Sequence, residues 1–118
     1  MSKKEDTRKQ VSEFYERGLI RAGGCCGGSG LVENLAKYDP DSLAQVPVDA
    51  QATSFACGDP LAFSGVEPGQ TVLDLGCGAG LDLLIAADKV GPKGRVIGVD
   101  MTEAMLSVAR GNVSRAGL

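Results

Sequence analysis

The sequence has no excess of positive charge and no long apolar run, and each of these shortages removes a class of function. Twelve Lys and Arg stand against fifteen Asp and Glu, for a net charge of −3. A protein that neutralises phosphates needs a basic face, so no nucleic-acid partner is expected. No segment approaches the roughly 18 consecutive apolar residues of a membrane-spanning helix, and the start MSKKEDTRKQ leads into an amphipathic segment, not the apolar core of a secretory signal. The expectation is therefore a cytoplasmic chain with no membrane partner. In that reducing compartment Cys25, Cys26, Cys57 and Cys77 read as free thiols, soft-ion ligands or redox groups in preference to structural disulfides. What the chain does have is enough apolar material, 43% of 118 residues, to build one small globular core.

The apolar residues fall into two periods. In KKEDTRKQVSEFYERGLIRAG, Val11, Phe14, Tyr15 and Leu19 recur at helical spacing, with Gly23 placed as a C-terminal cap. CCGGSG, from Cys25 to Gly30, then reads as a glycine-rich joint, and short helical patterns up to Ala56 are punctuated by Asp39-Pro40 and Pro47. Residues 1–65 are expected to form a helical N-terminal extension. Pro68-Gly69 supplies a turn just before the compact run TVLDL, which predicts a buried strand over Thr71 to Leu75. A helix over Leu81 to Val90, stopped by Gly91-Pro92, is followed by a second strand over Arg95 to Val99. Thr102 is placed to cap a last helix from Glu103 to about Arg115, with Gly117 as its stop. Residues 66–118 thus spell an α/β unit with two parallel strands, the incomplete beginning of a Rossmann-like fold. Parallel sheets are normally larger and covered on both faces, so an open sheet edge and self-association through it are expected.

The chemistry concentrates in VLDLGCGAGLD. Gly76, Gly78 and Gly80 lie where the first strand turns into a helix, the position at which a backbone without side chains lets a ligand approach. The spacing is G-x-G-x-G and not the dinucleotide pattern, and Asp74 precedes the first glycine by two positions, which favours a different adenosine-containing cofactor. Asp100 closes the second strand twenty residues after Gly80, where a carboxylate accepts from both hydroxyls of a ribose. Asp82 is expected to cap the helix after the loop or to interact with its dipole, with contact to the cofactor as the alternative.

These residues resemble the class I S-adenosylmethionine-dependent methyltransferases, with LDLGCGAG as a first motif and the acidic end of strand two as a second. Taken with CGDP at Cys57 to Pro60, the upstream CCGGS and IAADKVGPKGRVIGVDMTEAMLSVAR, the chain is similar to the arsenite methyltransferase family over most of its length. The resemblance implies S-adenosyl-L-methionine as cofactor and trivalent arsenic, held by cysteine thiolates, as methyl acceptor. It implies that Asp74 steadies the loop and the methionine end, that Gly76, Cys77, Gly78 and Gly80 line the cofactor, that Asp100 binds the ribose and that Met101 packs on adenine. Met101 as ordinary core filler is the competing expectation.

By the same resemblance Cys57 is the candidate arsenic ligand, and Cys25 or Cys26 takes part through thiol and disulfide exchange; no resident metal is expected. Cys77 is expected to pack, with its backbone toward the cofactor. A soft ion prefers thiolate ligands, which is consistent with this assignment. The family's remaining arsenic ligands would fall after Leu118, so residues 1–118 alone are expected not to methylate arsenite. Two other readings stand beside this one: a methyltransferase acting on a small organic acceptor, and a non-catalytic chain that binds cofactor or soft ions and self-associates.

Overall fold

In the computed structural model, residues 3–22, 38–48, 51, 61 and 64–118 are described. Among the described residues, four helices and two strands follow in the order α1 (Lys3–Ala22), α2 (Pro40–Ala44), β1 (Thr71–Leu75), α3 (Leu81–Val90), β2 (Arg95–Val99) and α4 (Glu103–Arg115). The strands pair in parallel, Thr71 opposite Arg95 through Leu75 opposite Val99, with α3 as the crossover between them. The bounds of β1, α3, β2 and α4 are those the turn residues announce. Gly69 takes φ +84°, and its N–H donates to the Val90 carbonyl at 2.7 Å, tying the turn before β1 to the end of α3. Gly91, at φ +66°, ends α3 by donating to Ala87 O. Asp39 caps α2 through Ser42 N, with Pro40 at the first helical positions, where its missing N–H costs nothing.

The core forms where α3 lies on the sheet. Leu81, Leu84, Ile85 and Ala86 are buried together with Tyr38, Val46 and Leu61, and Val72, Val96 and Val113 pack against them. Each fully buried aliphatic side chain of this kind contributes about 1.5–3 kcal/mol, so the βαβ unit and the segment around Tyr38 share one source of stability.

The strand over Thr71 to Leu75, expected to be buried, is half-buried on one face only. Both strands alternate strictly: Val72 and Asp74, with Val96 and Gly98, are half-buried toward α3, while Leu73, Leu75, Ile97 and Val99 on the other face are exposed by 58%, 74%, 37% and 48%. The reason is that α3 covers one face only. The apolar stripe of α1 is also only partly used. Val11 and Tyr15 border a cavity described below, but Phe14 is 71% exposed and meets the Tyr15 ring edge-on at 5.7 Å. Gly23 and the joint from Cys25 to Gly30 lie outside the described residues. No helix among the described residues is long and apolar enough to cross a membrane.

Candidate functional site

The carboxyl ends of β1 and β2 open into a cavity of about 620 Å³. In open α/β sheets this is where ligands bind, and the volume falls within the range of small-molecule pockets. Its wall runs from Gly76 to Asp82 and from Val99 to Thr102, with Met105 behind and Val11 and Tyr15 of α1 on the far side. Sequence reasoning therefore placed Gly76, Cys77, Gly78, Gly80, Asp100 and Met101 on one wall; α1 as part of that wall it did not foresee.

The loop is held in shape by its own amides. Gly76 N and Cys77 N both donate to Val99 O, at 2.7 and 3.0 Å, which pins the turn to the end of β2. Gly80 N donates to Cys77 O at 3.0 Å. Gly78 and Gly80 sit at φ +53° and +91°, a region open to glycine at no steric cost. A Cβ at Gly76 or Gly78 would meet no atom within 4 Å and at Gly80 would meet the Ala109 Cβ at 3.2 Å. The loop is thus open at its first two glycines and packed on α4 at its third.

Asp100 joins the loop to the next element. Its Oδ2 accepts from Gly78 N at 2.9 Å and its Oδ1 from Thr102 N at 2.8 Å. Thr102 occupies the N-cap position of α4 and is 1% exposed, yet its side chain makes no capping bond; the carboxylate of Asp100 takes an orphan amide at the head of α4 instead. Each carboxylate oxygen retains acceptor capacity, so the pair can still receive two hydroxyls. Met101 is 59% exposed on the cavity wall, which removes the core-filler reading.

Asp74 does not line the cavity. It stands on the covered face of β1, with Oδ2 buried and lacking a hydrogen-bond partner among the described residues. Burial first, and the charge of Asp100 second, push its carboxyl above the ordinary 3.8. The ionised form therefore costs stability at neutral pH. That cost is full above the raised value, fades as pH falls through it, and is gone below the unfolded value. Asp74→Asn is expected to melt a few degrees higher at pH 7, with the gap narrowing as the pH is lowered toward 4; thermal melts at several pH values check it, and a lower melting temperature at pH 7 would contradict it.

Cys77 is buried, and its thiol is also pushed up, by burial, then by Asp74 and Asp100, against a smaller opposing backbone hydrogen bond. It stays protonated at neutral pH, whereas soft ions bind the thiolate. Its sulfur lies against β2 at Gly98, where a Cβ would come within 2.9 Å of Sγ and 2.6 Å of Leu83 Cδ1.

Asp82 does not cap α3: the N-cap is Gly80, with no side-chain capping bond. Its left-handed backbone leaves Asp82 in the first turn, where its charge suits the helix dipole and its Oδ1 accepts from Tyr38 OH at 2.9 Å. Tyr38 and Asn112, whose Nδ2 donates to Ala79 O, were missed from sequence. Cys25, Cys26 and Cys57 lie outside the described residues.

Residues 66–118 match a family described as a methyltransferase domain. The chain is 44% identical to the arsenite methyltransferase of Halobacterium salinarum over 94% of its own length and 32% of that protein's. It superimposes on the crystal structure of an arsenic(III) S-adenosylmethionine methyltransferase from Chlamydomonas reinhardtii with a TM-score of 0.56 and 44% identity, covering 61% of this chain and 23% of that one. The demethylmenaquinone methyltransferase of Symbiobacterium thermophilum is 49% identical, but over only 46% of this chain and 22% of its own. The chain spans about a third of the length of the first of these curated relatives. Residues 66–118 thus carry the fold and glycine loop of a methyltransferase domain of the class I S-adenosylmethionine-dependent kind, as two parallel strands with their flanking helices. Within that class, the likeness that extends over most of the chain is to arsenite methyltransferases.

Proposed function

We propose that this chain holds S-adenosyl-L-methionine in the cavity at the ends of β1 and β2 and serves methyl transfer to trivalent arsenic bound by cysteine thiolates. The observation that carries the cofactor half is Asp100, a carboxylate held at the rim by two backbone amides with lone pairs left for the two hydroxyls of a ribose. The open backbone at Gly76 and Gly78 leaves room for a ligand lying across the loop, and Met101 offers an exposed apolar side chain for adenine. Asp74 acts from behind the loop and not as a wall of the site. When bound, the cofactor supplies an electrophilic methyl group on a sulfonium, and an arsenic lone pair needs no general base to accept it. The protein's part is then to bind, align and exclude water.

For the acceptor, Cys57 with Cys25 or Cys26 remain the candidates, because Cys77 is buried and protonated. The likeness to arsenite methyltransferases extends over 94% of the chain while that to the quinone enzyme stops at 46%, which favours arsenic over a small organic acceptor. Calorimetric titration with S-adenosylmethionine, followed by thermal melts with and without arsenite, tests both halves. Cofactor binding and an arsenite-induced rise in melting temperature that disappears in Cys57→Ser are expected. Absence of cofactor binding would end the first half; binding without any arsenite effect would leave the organic acceptor as the better reading.

A further inference from the structure

Asn112 on α4 has 0% exposure, the most buried polar side chain among the described residues. A buried amide is tolerated only when both its ends are partnered. Here Nδ2 donates to Ala79 O at 2.9 Å, and Oδ1 accepts from Arg115 Nη2 at 2.6 Å. A guanidinium only donates, so Arg115 fixes which end is oxygen and leaves the NH2 facing Ala79. The bond spans 33 positions of sequence and sits in a packed seam, since a Cβ on Gly80 would already touch Ala109 of the same helix at 3.2 Å.

The consequence lies in the peptide units of the loop. The Ala79–Gly80 unit is held at both ends, its carbonyl by Asn112 and its N–H by Cys77 O at 3.0 Å. The Cys77–Gly78 unit is held by Asp100 through Gly78 N at 2.9 Å. Between them stands the Gly78–Ala79 unit, and the Ala79 N–H has no acceptor among the described residues, although Ala79 borders the cavity and is only 5% exposed. We propose that Asn112 is a positioning residue for the cofactor loop: from α4 it fixes the Ala79–Gly80 peptide so that the Ala79 N–H is kept unspent for the bound cofactor. The inference rests on the cofactor reading of the cavity.

The test is calorimetric affinity for S-adenosylmethionine together with the amide resonances of Ala79 and Gly80. Asn112→Asp keeps the shape of the side chain but removes its donor, and is expected to weaken binding about tenfold, the size of one lost hydrogen bond, while shifting both resonances. Arg115→Ala, a change at an exposed residue, removes the donor that holds Oδ1 of the amide and should weaken binding by a few-fold, with Arg115→Lys restoring most of it. Ile85→Val, in the core of α3 and away from the loop, should lower the melting temperature but leave affinity and both resonances unchanged. If Asn112→Asp does not fold, the Arg115 pair decides. Wild-type affinity in Asn112→Asp or, failing that, in Arg115→Ala would overturn the inference, as would an equal loss in Ile85→Val. A wild-type chain that binds no cofactor would instead overturn the reading on which it rests.

Discussion

Asp100→Ala is expected to weaken the binding of S-adenosylmethionine by at least about a hundredfold, close to 3 kcal/mol at 1.4 kcal/mol per decade. Two losses add. The ribose loses its proposed acceptor, and the amides of Gly78 and Thr102 lose theirs, each a charge-assisted bond of about 1.5–3 kcal/mol. The second loss unties the glycine loop from the head of α4, so affinity should fall even for a ligand that lacks the ribose hydroxyls. Asp100→Asn sharpens the test. Both carboxylate oxygens face N–H donors, so an amide turned either way points its own NH2 at one of them. Asparagine is therefore expected to fall nearly as far as alanine. Calorimetry on the three proteins decides, and an unchanged affinity in Asp100→Ala would remove Asp100 from the site.

Gly98→Ala should carry the largest effect on stability, about 1–3 kcal/mol, the usual cost of forcing a methyl group into a filled space. A Cβ there would lie 2.6 and 2.9 Å from the two methyl groups of Leu83 and 2.9 Å from Cys77 Sγ. Relief requires Leu83 and the Cys77 thiol both to give way, and Cys77 sits inside the glycine loop, so cofactor affinity should fall with stability. Pairing the change with Leu83→Ala is expected to recover part of the loss, a coupling that independent sites would not show. Urea unfolding measures it. A midpoint equal to that of the wild type would mean that both neighbours relax freely and that the close approach has no energetic role.

Much of the α/β unit was legible because its punctuation is local. Pro68-Gly69, Gly91-Pro92 and Gly117 mark ends that depend on backbone φ, and Gly69, Gly91 and Gly117 do adopt positive values. Asp100 was legible as a site residue from its place at the end of a strand, but its hold on Gly78 and Thr102 was not, since backbone amides leave no signature in the sequence. The hold of Asn112 on the loop was invisible for a like reason, since it is made to the backbone carbonyl of Ala79. Asp82 was legible as an acid suited to the helix dipole but not as a non-capping residue, since the cap is a glycine and the acid accepts a bond from Tyr38, 44 positions away. The run TVLDL reads alike whether one face or both are covered, so its exposed face had to come from the structure. Gly98 did leave a trace that could have been used, a lone glycine within a strand, which often marks the close approach of another group.

The pairing of Thr71 with Arg95 through Leu75 with Val99 keeps a constant offset of 24 positions, and that offset has a kinetic meaning. Closing the crossover confines only a short chain, and closure entropy grows slowly with length, so strand pairing here is nearly as local as a parallel sheet permits. The same closure brings Val99 O to the amides of Gly76 and Cys77 and Asp100 to Gly78. The contacts that pair the strands and those that shape the loop are thus made by the same short stretch of chain.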